Sequence, residues 1–222
     1  WLQGADELER RAADGPVRRF SRGAAHWPGP DGQPWRRQGQ RLQRWEPATA
    51  DFVAVGGAPR DDWQDLQAGA DGTVWLAAPH RLVQGRWQGG RFEALGQWTP
   101  VEGLPAVDGL RLALDPEGSP WLATPRGLWR LDPGAERFRR FGLDDGLRLA
   151  DLGGRPFFIA GNGLGLAGGA GHWQLFDTAR LAGARPTSPR LVFDGLRFEG
   201  GAGRVQHAGN TRLLRLGPGD RD

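Results

Sequence analysis

The chain has no cysteine, methionine, tyrosine or lysine. Without cysteine, disulfides, thiolate catalysis and Cys-ligated zinc are excluded. Without lysine, all 29 basic residues are arginine, so almost nothing titrates between histidine and arginine. The sequence pI of about 10.9 therefore reflects residue choice, since the formal net charge is only +3. Acidic side chains lie among the arginines, no basic stripe stands out, and no nucleic-acid partner is expected. No apolar run approaches the ~18 residues of a membrane-spanning helix. Serine is confined to Ser21, Ser119 and Ser188, with no Gly-x-Ser-x-Gly elbow to activate one. His26, His80, His172 and His207 are dispersed, without the spacing that sets two metal ligands on one helix face. Asp61-Asp62 and Asp144-Asp145 read as turn residues, because neighbours on a strand point to opposite faces. The expectation is no catalytic residue, no metal and no cofactor.

What is abundant is turn formers and large aromatics: Gly 37, Pro 17, Trp 11 and Phe 10. They recur in a frame. Trp35, Trp75, Trp121 and Phe157 each stand four residues after Asp31, Asp71, Glu117 and Gly153, with Gly32, Gly72, Gly118 and Gly154 next in line. Leu42, Leu82, Leu128 and Leu164 follow seven residues after each aromatic, and Trp1 with Leu8 fits the same frame. The spacings of 34, 40, 46 and 36 residues bracket one propeller blade. Each Asp-Gly pair predicts a hairpin turn in which glycine accepts positive φ, and the aromatic then begins a strand. Strands are expected at Trp75-Leu76-Ala77 and Trp121-Leu122-Ala123, then Arg81 to Trp87 and Gly127 to Leu131. An inner strand is expected around Leu110 to Leu114. In the outer strand Arg137 to Phe141, alternation should turn the aromatics inward and the arginines outward. The fold expected is an all-β β-propeller segment of about five partial or complete four-stranded blades, spanning 1–186. Stacked blades would bury the aromatics between them.

Within that frame the Gly163 to Gly168 string matches Gly-x-Gly-x-x-Gly but lacks the following helix of a dinucleotide site. One position varies in polar type while the framework repeats: Asp6, Gln40, His80, Arg126 and Asn162, five residues after each aromatic. Turns carried by a rigid scaffold commonly bind ligands, so these five are the candidate ligand-facing rim.

The order Asp-Gly-x-x-Trp, short loop, Gly-Leu-x-Arg is clearest from Glu117 to Arg130, and an outer strand with an Asp-Gly-Leu turn follows from Phe138 to Leu147. The chain thereby resembles the two-component regulator propeller repeat family of bacterial sensor proteins. Ala77 and Ala123 stand where the family commonly has a small polar residue, and Gly153-Gly154 lacks the turn aspartate. Residues 187–222 are similar to the exit segment of such propellers and the first strand of the triple-tyrosine immunoglobulin-like domain that follows. The resemblance implies a sensor on the periplasmic side of the bacterial inner membrane, fed by a small-molecule, oligosaccharide or protein ligand. It further implies a downstream membrane helix, a histidine kinase or diguanylate cyclase output, and a homodimeric parent protein. The rivals are a free-standing propeller enzyme of lactonase or lyase type and a protein-interaction propeller.

Overall fold

The computed structural model describes residues 2–3, 8–10, 18–20, 26–69, 71–134, 136–149 and 151–184. Trp1, Asp6 and the expected exit segment 187–222 lie outside the described residues.

The hairpin that opens each repeat shows how sequence becomes sheet. In four places a glycine at positive φ, Gly32, Gly72, Gly118 or Gly163, donates its N–H to the carbonyl three residues back. The residue at that carbonyl in turn donates to the one four ahead, at Gln33, Thr73, Ser119 and Leu164. The strand entering and the strand leaving such a turn then pair antiparallel.

These hairpins extend into meanders. The first sheet comprises β1 (Leu2–Gln3), β2 (Leu8–Arg10) and β3 (Arg18–Phe20). The second holds β4 (His26–Pro28), β5 (Pro34–Gln38), β6 (Arg41–Glu46) and β7 (Asp51–Ala54). The third holds β8 (Asp65–Ala68), β9 (Thr73–Ala78), β10 (Arg81–Gln88) and β11 (Arg91–Trp98). The fourth holds β12 (Arg111–Leu114), β13 (Pro120–Thr124), β14 (Gly127–Asp132) and β15 (Arg137–Phe141). The fifth holds β16 (Phe157–Ile159), β17 (Leu164–Gly168) and β18 (Trp173–Asp177), followed by a short helix α1 (Thr178–Gly183). Every pairing between the described strands is antiparallel and joins strands consecutive in sequence, and an isolated parallel bridge links Gly56 to Arg91. The leading strands touch in succession, β4 against β8, β8 against β12 and β12 against β16. Sheets standing side by side on their leading strands form an all-β propeller segment.

The core lies between sheets. Trp35 and Leu42 of the second sheet pack with Leu66, Val74, Leu76 and Phe92 of the third. Trp75 and Leu82 of the third pack with Leu112, Leu122 and Leu131 of the fourth. Trp121, Leu128 and Phe141 of the fourth pack with Ile159, Ala167 and Phe176 of the fifth. The frame aromatic and its leucine thus always face the following sheet, while a second apolar set faces the preceding one.

Two expectations need correction. Phe157 is not the frame aromatic of the fifth sheet, because it opens the leading strand β16, whereas Trp35, Trp75 and Trp121 all lie on second strands. The hydrogen-bonded turn aligns Gly163 with Gly118, so the frame position is Leu166 and the residue seven further on is Trp173. The expectation that both aromatics of β15 turn inward also fails, because Phe138 and Phe141 are three apart and alternation itself sets them on opposite faces. Phe138 packs toward the third sheet and Phe141 toward the fifth. Arg139 does not point freely outward: its guanidinium lies 4.7 Å from the Phe141 ring centroid and donates to the Ala182 carbonyl (3.0 Å).

Candidate functional site

A four-stranded meander has two ends. Hairpins joining strands one to two and three to four share one end. The other carries the hairpins joining strands two to three, with the connections leading to the next sheet. Gln40, His80 and Arg126 occupy equivalent two-to-three hairpins, Gly39-Gln40, Pro79-His80 and Pro125-Arg126, and all three are exposed. Asn162 does not join them. It sits in the one-to-two hairpin between β16 and β17, at the opposite end, where its carboxamide oxygen accepts the Leu164 N–H (3.1 Å). Assigning Phe157 to the frame displaced the expected position by nine residues, and Gly171 stands at the equivalent place in the β17–β18 turn. Asp6 lies outside the described residues.

Hydrogen bonds stitch the shared turns into a continuous rim. The Asp61 N–H donates to the Gln40 carbonyl (3.1 Å), the Val107 N–H to Pro79 (3.2 Å) and the Leu152 N–H to Thr124 (3.0 Å). The Gly154 N–H donates to the Gly109 carbonyl, linking one inter-sheet connection to the next. Gln64 ties the second of these connections down: its side-chain oxygen accepts from Gly109 (3.0 Å) and Leu110 (3.2 Å), and its amide donates to Asp108 (3.1 Å). Gln174 does the same for Arg148 and Leu149.

Each variable side chain therefore projects from a fixed backbone. Arg126 shows this best. Its N–H is held by the buried Thr124 hydroxyl (3.0 Å), which itself donates to the Gly127 carbonyl (3.0 Å) and accepts from the Trp129 indole (3.2 Å). The Arg126 carbonyl receives the Arg140 Nε (2.8 Å), which leaves the Arg126 guanidinium as the exposed, ligand-available part. Beside His80, Arg81 pairs with Asp61 (2.6 Å), donates to the Arg60 carbonyl and lies 5.3 Å from the Trp63 ring centroid. Asp62 pairs instead with Arg37 of the second sheet. The adjacent aspartates thus engage arginines from two different sheets, a joint rather than a carboxylate dyad.

Two buried carboxylates were not singled out from sequence. Asp65 on β8 receives the N–H groups of Leu66 and Leu112 (both 2.8 Å), bridging two leading strands. Burial pushes its carboxyl above the ordinary range, against those hydrogen bonds. Asp115 accepts from Glu117 (3.1 Å), Ser119 (2.8 Å), the Trp121 indole (3.0 Å) and Arg130 (3.1 Å). Both are committed to framework bonds. A signal for Asp115 did exist, an aspartate opening the Asp-Pro-Glu-Gly-Ser turn; Asp65 had none, because its partner is 47 residues away.

The glycines of the Gly163–Gly168 string serve packing. A Cβ on Gly165 would come within 2.2 Å of the Phe176 ring lying across it, and the string runs into strand β17 instead of a helix. Among the described residues no group of three or more His, Asp and Glu side chains converges as a metal site. Among them, too, no helix is long and apolar enough to cross a membrane.

No protein-family model and no curated protein matches the chain. Solved structures do. The extracellular domain of BT4673 from B. thetaiotaomicron, assigned to the one-component systems, is similar at 15% identity and a TM-score of 0.55, over 71% of this chain and 23% of that one. The extracellular domain of BT3049 from the same organism, assigned to the hybrid two-component systems, is similar at 12% identity and a TM-score of 0.54, over 86% and 29%. Virginiamycin B lyase from Staphylococcus aureus is similar at 10% identity and a TM-score of 0.51, over 78% and 63%. At these identities the likeness establishes the propeller fold. The chain spans about a quarter of the length of the two extracellular domains.

Proposed function

We propose that this chain is a ligand-sensing β-propeller segment of a bacterial signal-transduction protein, working outside the cytoplasmic membrane and binding rather than transforming its ligand. The observation that carries the reading is the rim. Gln40, His80 and Arg126 project from equivalent turns whose backbones are locked to the neighbouring connections, so the scaffold is constant and the recognition chemistry varies. A neutral amide, an imidazole and a guanidinium on equivalent turns of successive sheets suit a polar ligand with several acceptor atoms, an oligosaccharide or small organic acid. The fold shared with the extracellular domains of BT4673 and BT3049 supports a sensing role, in keeping with the sequence resemblance. Signalling would then follow from differential affinity: a ligand that bridges adjacent turns favours one packing of the sheets over another.

The test is a thermal-shift screen of the chain against oligosaccharides and small organic acids, followed by calorimetry on any stabilising compound. His80→Ala and Arg126→Ala should each weaken binding by about tenfold or more, as expected for a lost hydrogen bond to a charged or polar ligand. Asn162→Ala, at the opposite end, should leave it unchanged. Binding insensitive to both rim variants would sink the proposal, and turnover of the bound compound would replace sensing by catalysis.

A further inference from the structure

At the other end of the sheets, one side chain is missing from a pattern. Antiparallel register sets Arg44 opposite Trp35, Gln84 opposite Trp75 and Arg130 opposite Trp121. The Arg44 guanidinium lies 5.3 Å from the Trp87 ring centroid and pairs with Glu46 and Asp31. Arg130 lies 5.8 Å from the Trp121 centroid and pairs with Asp115 and Glu117, both at 3.1 Å. In each case a planar cation is held between an indole and two carboxylates.

The third sheet lacks the cation, and of its carboxylates keeps only Asp71, with Gly69 and Arg86 where Asp115 and Glu46 stand in the other two. The acidic groups near that place come from the fourth sheet. Gln84 is shorter and neutral. The filler from the next sheet shrinks as well. Trp87, which packs edge-on against Trp35 with centroids 5.1 Å apart, stands twelve residues after its frame aromatic, and the fourth sheet has Pro133 there. The result is a cleft of about 280 Å³ between the third and fourth sheets. Trp75, Trp98 and Leu131 wall it, the two indoles 5.4 Å apart, and Asp132 and Glu136 stand at its margin beside Glu117, which is already paired with Arg130. Glu136 is exposed and held at φ 50°, in the left-handed region that side-chain-bearing residues rarely adopt. The turn fixes it there: the Glu136 N–H donates to the Asp132 carbonyl (2.9 Å), and the Asp132 carboxylate accepts from Gly134 (3.0 Å).

We propose that this cleft binds the guanidinium group of a small molecule, which takes the place that an arginine side chain fills in the second and fourth sheets. Indole faces attract a cation through the ring quadrupole, and a guanidinium matches carboxylates in its plane while stacking on an aromatic. The volume lies just below the roughly 300–1,000 Å³ of small-molecule sites, which fits a short aliphatic guanidine rather than a drug-sized body. The site is independent of the Gln40–His80–Arg126 rim and stands or falls separately.

The experiment titrates the full chain with n-butylguanidinium, n-butylurea and n-butylammonium, read by tryptophan fluorescence and calorimetry, with a Gly-Arg-Gly peptide as a fourth arm. The guanidinium should bind saturably, and the urea, the same shape without charge, should not. Glu136→Gln should weaken binding about tenfold, the loss of one charge-assisted hydrogen bond. Gln84→Arg should abolish it by restoring the internal cation, and should raise the thermal midpoint without ligand. Because Gln84→Arg and Glu136→Gln alter only partly or fully exposed side chains, neither test depends on a disrupted core. Equal binding of the urea, unchanged binding in Gln84→Arg or no saturation in the parent chain would overturn the site. Ammonium binding as tight as guanidinium would overturn the guanidinium assignment. A peptide bound more tightly than butylguanidinium would overturn the small-molecule one in favour of a protein partner.

Discussion

Trp121 and Leu128 in the fourth sheet and Leu166 and Trp173 in the fifth hold the same two frame positions, yet the first pair is fully buried and Trp173 is 61% exposed. Phe158 and Leu175, on the same face as Leu166 and Trp173, are 62% and 65% exposed. The other face of the fifth sheet, with Ile159, Ala167 and Phe176, is covered by the fourth. Equivalent apolar frame residues are thus buried or exposed according to what the architecture places over them, and their contribution to stability comes from the neighbouring sheet rather than from their own strand.

The largest test of that contrast is a pair of truncations. Trp121→Ala should cost about 3–5 kcal/mol in denaturant unfolding. Trp173→Ala should stay within about 0.5 kcal/mol, as exposed substitutions do. Equal losses would break the comparison. A second pair probes the hairpin beneath each frame residue. Asp115→Ala should cost about 2–3 kcal/mol by leaving buried donors without an acceptor. The fifth sheet has Ala160 at that turn position, and Ala160→Asp should change stability by less than about 0.5 kcal/mol. A smaller loss, about 1 kcal/mol, is expected for Asp177→Ala, whose carboxylate caps α1 by accepting the Arg180 N–H (2.8 Å).

Titration sharpens the contrast between covered and open positions. Asp65, buried in a seam, has its pKa raised, so its contribution is fully present below the unfolded aspartate pKa and is lost as pH rises through the folded value. Asp71, at an open hairpin, is held below the ordinary range by the Thr73 hydroxyl and N–H. Its contribution is present above the unfolded pKa and is lost as pH falls through the folded one. Unfolding measured across pH should therefore show Asp65→Asn and Asp71→Asn altering the pH slope in opposite senses; changes of the same sign would refute the burial argument.

Much of the fold was legible because the frame is local. Trp75, Trp121 and the Asp-Gly or Glu-Gly turns before them fall where hairpin chemistry puts them, and the outer strand Arg137–Phe141 was read residue for residue. The fifth sheet was misread because Gly153-Gly154 followed by Phe157 imitates the frame, while the true position is filled by a leucine. Asn162-Gly163, a strong hairpin pair, with Trp173 seven residues after Leu166, was the better signal. Of the candidate rim, three residues share one end of the sheets. What no sequence pattern could disclose is the set of contacts made across sheets: Asp65 to Leu112, Gln64 to Gly109, and the cleft left by Gln84 and Pro133 together.

Since every described strand pairs with the one just before or after it in the chain, closing each hairpin costs little loop entropy, as in a repeat array. Such a chain can acquire its sheets one after another, each docking on the last as it emerges during synthesis, without waiting for a distant partner.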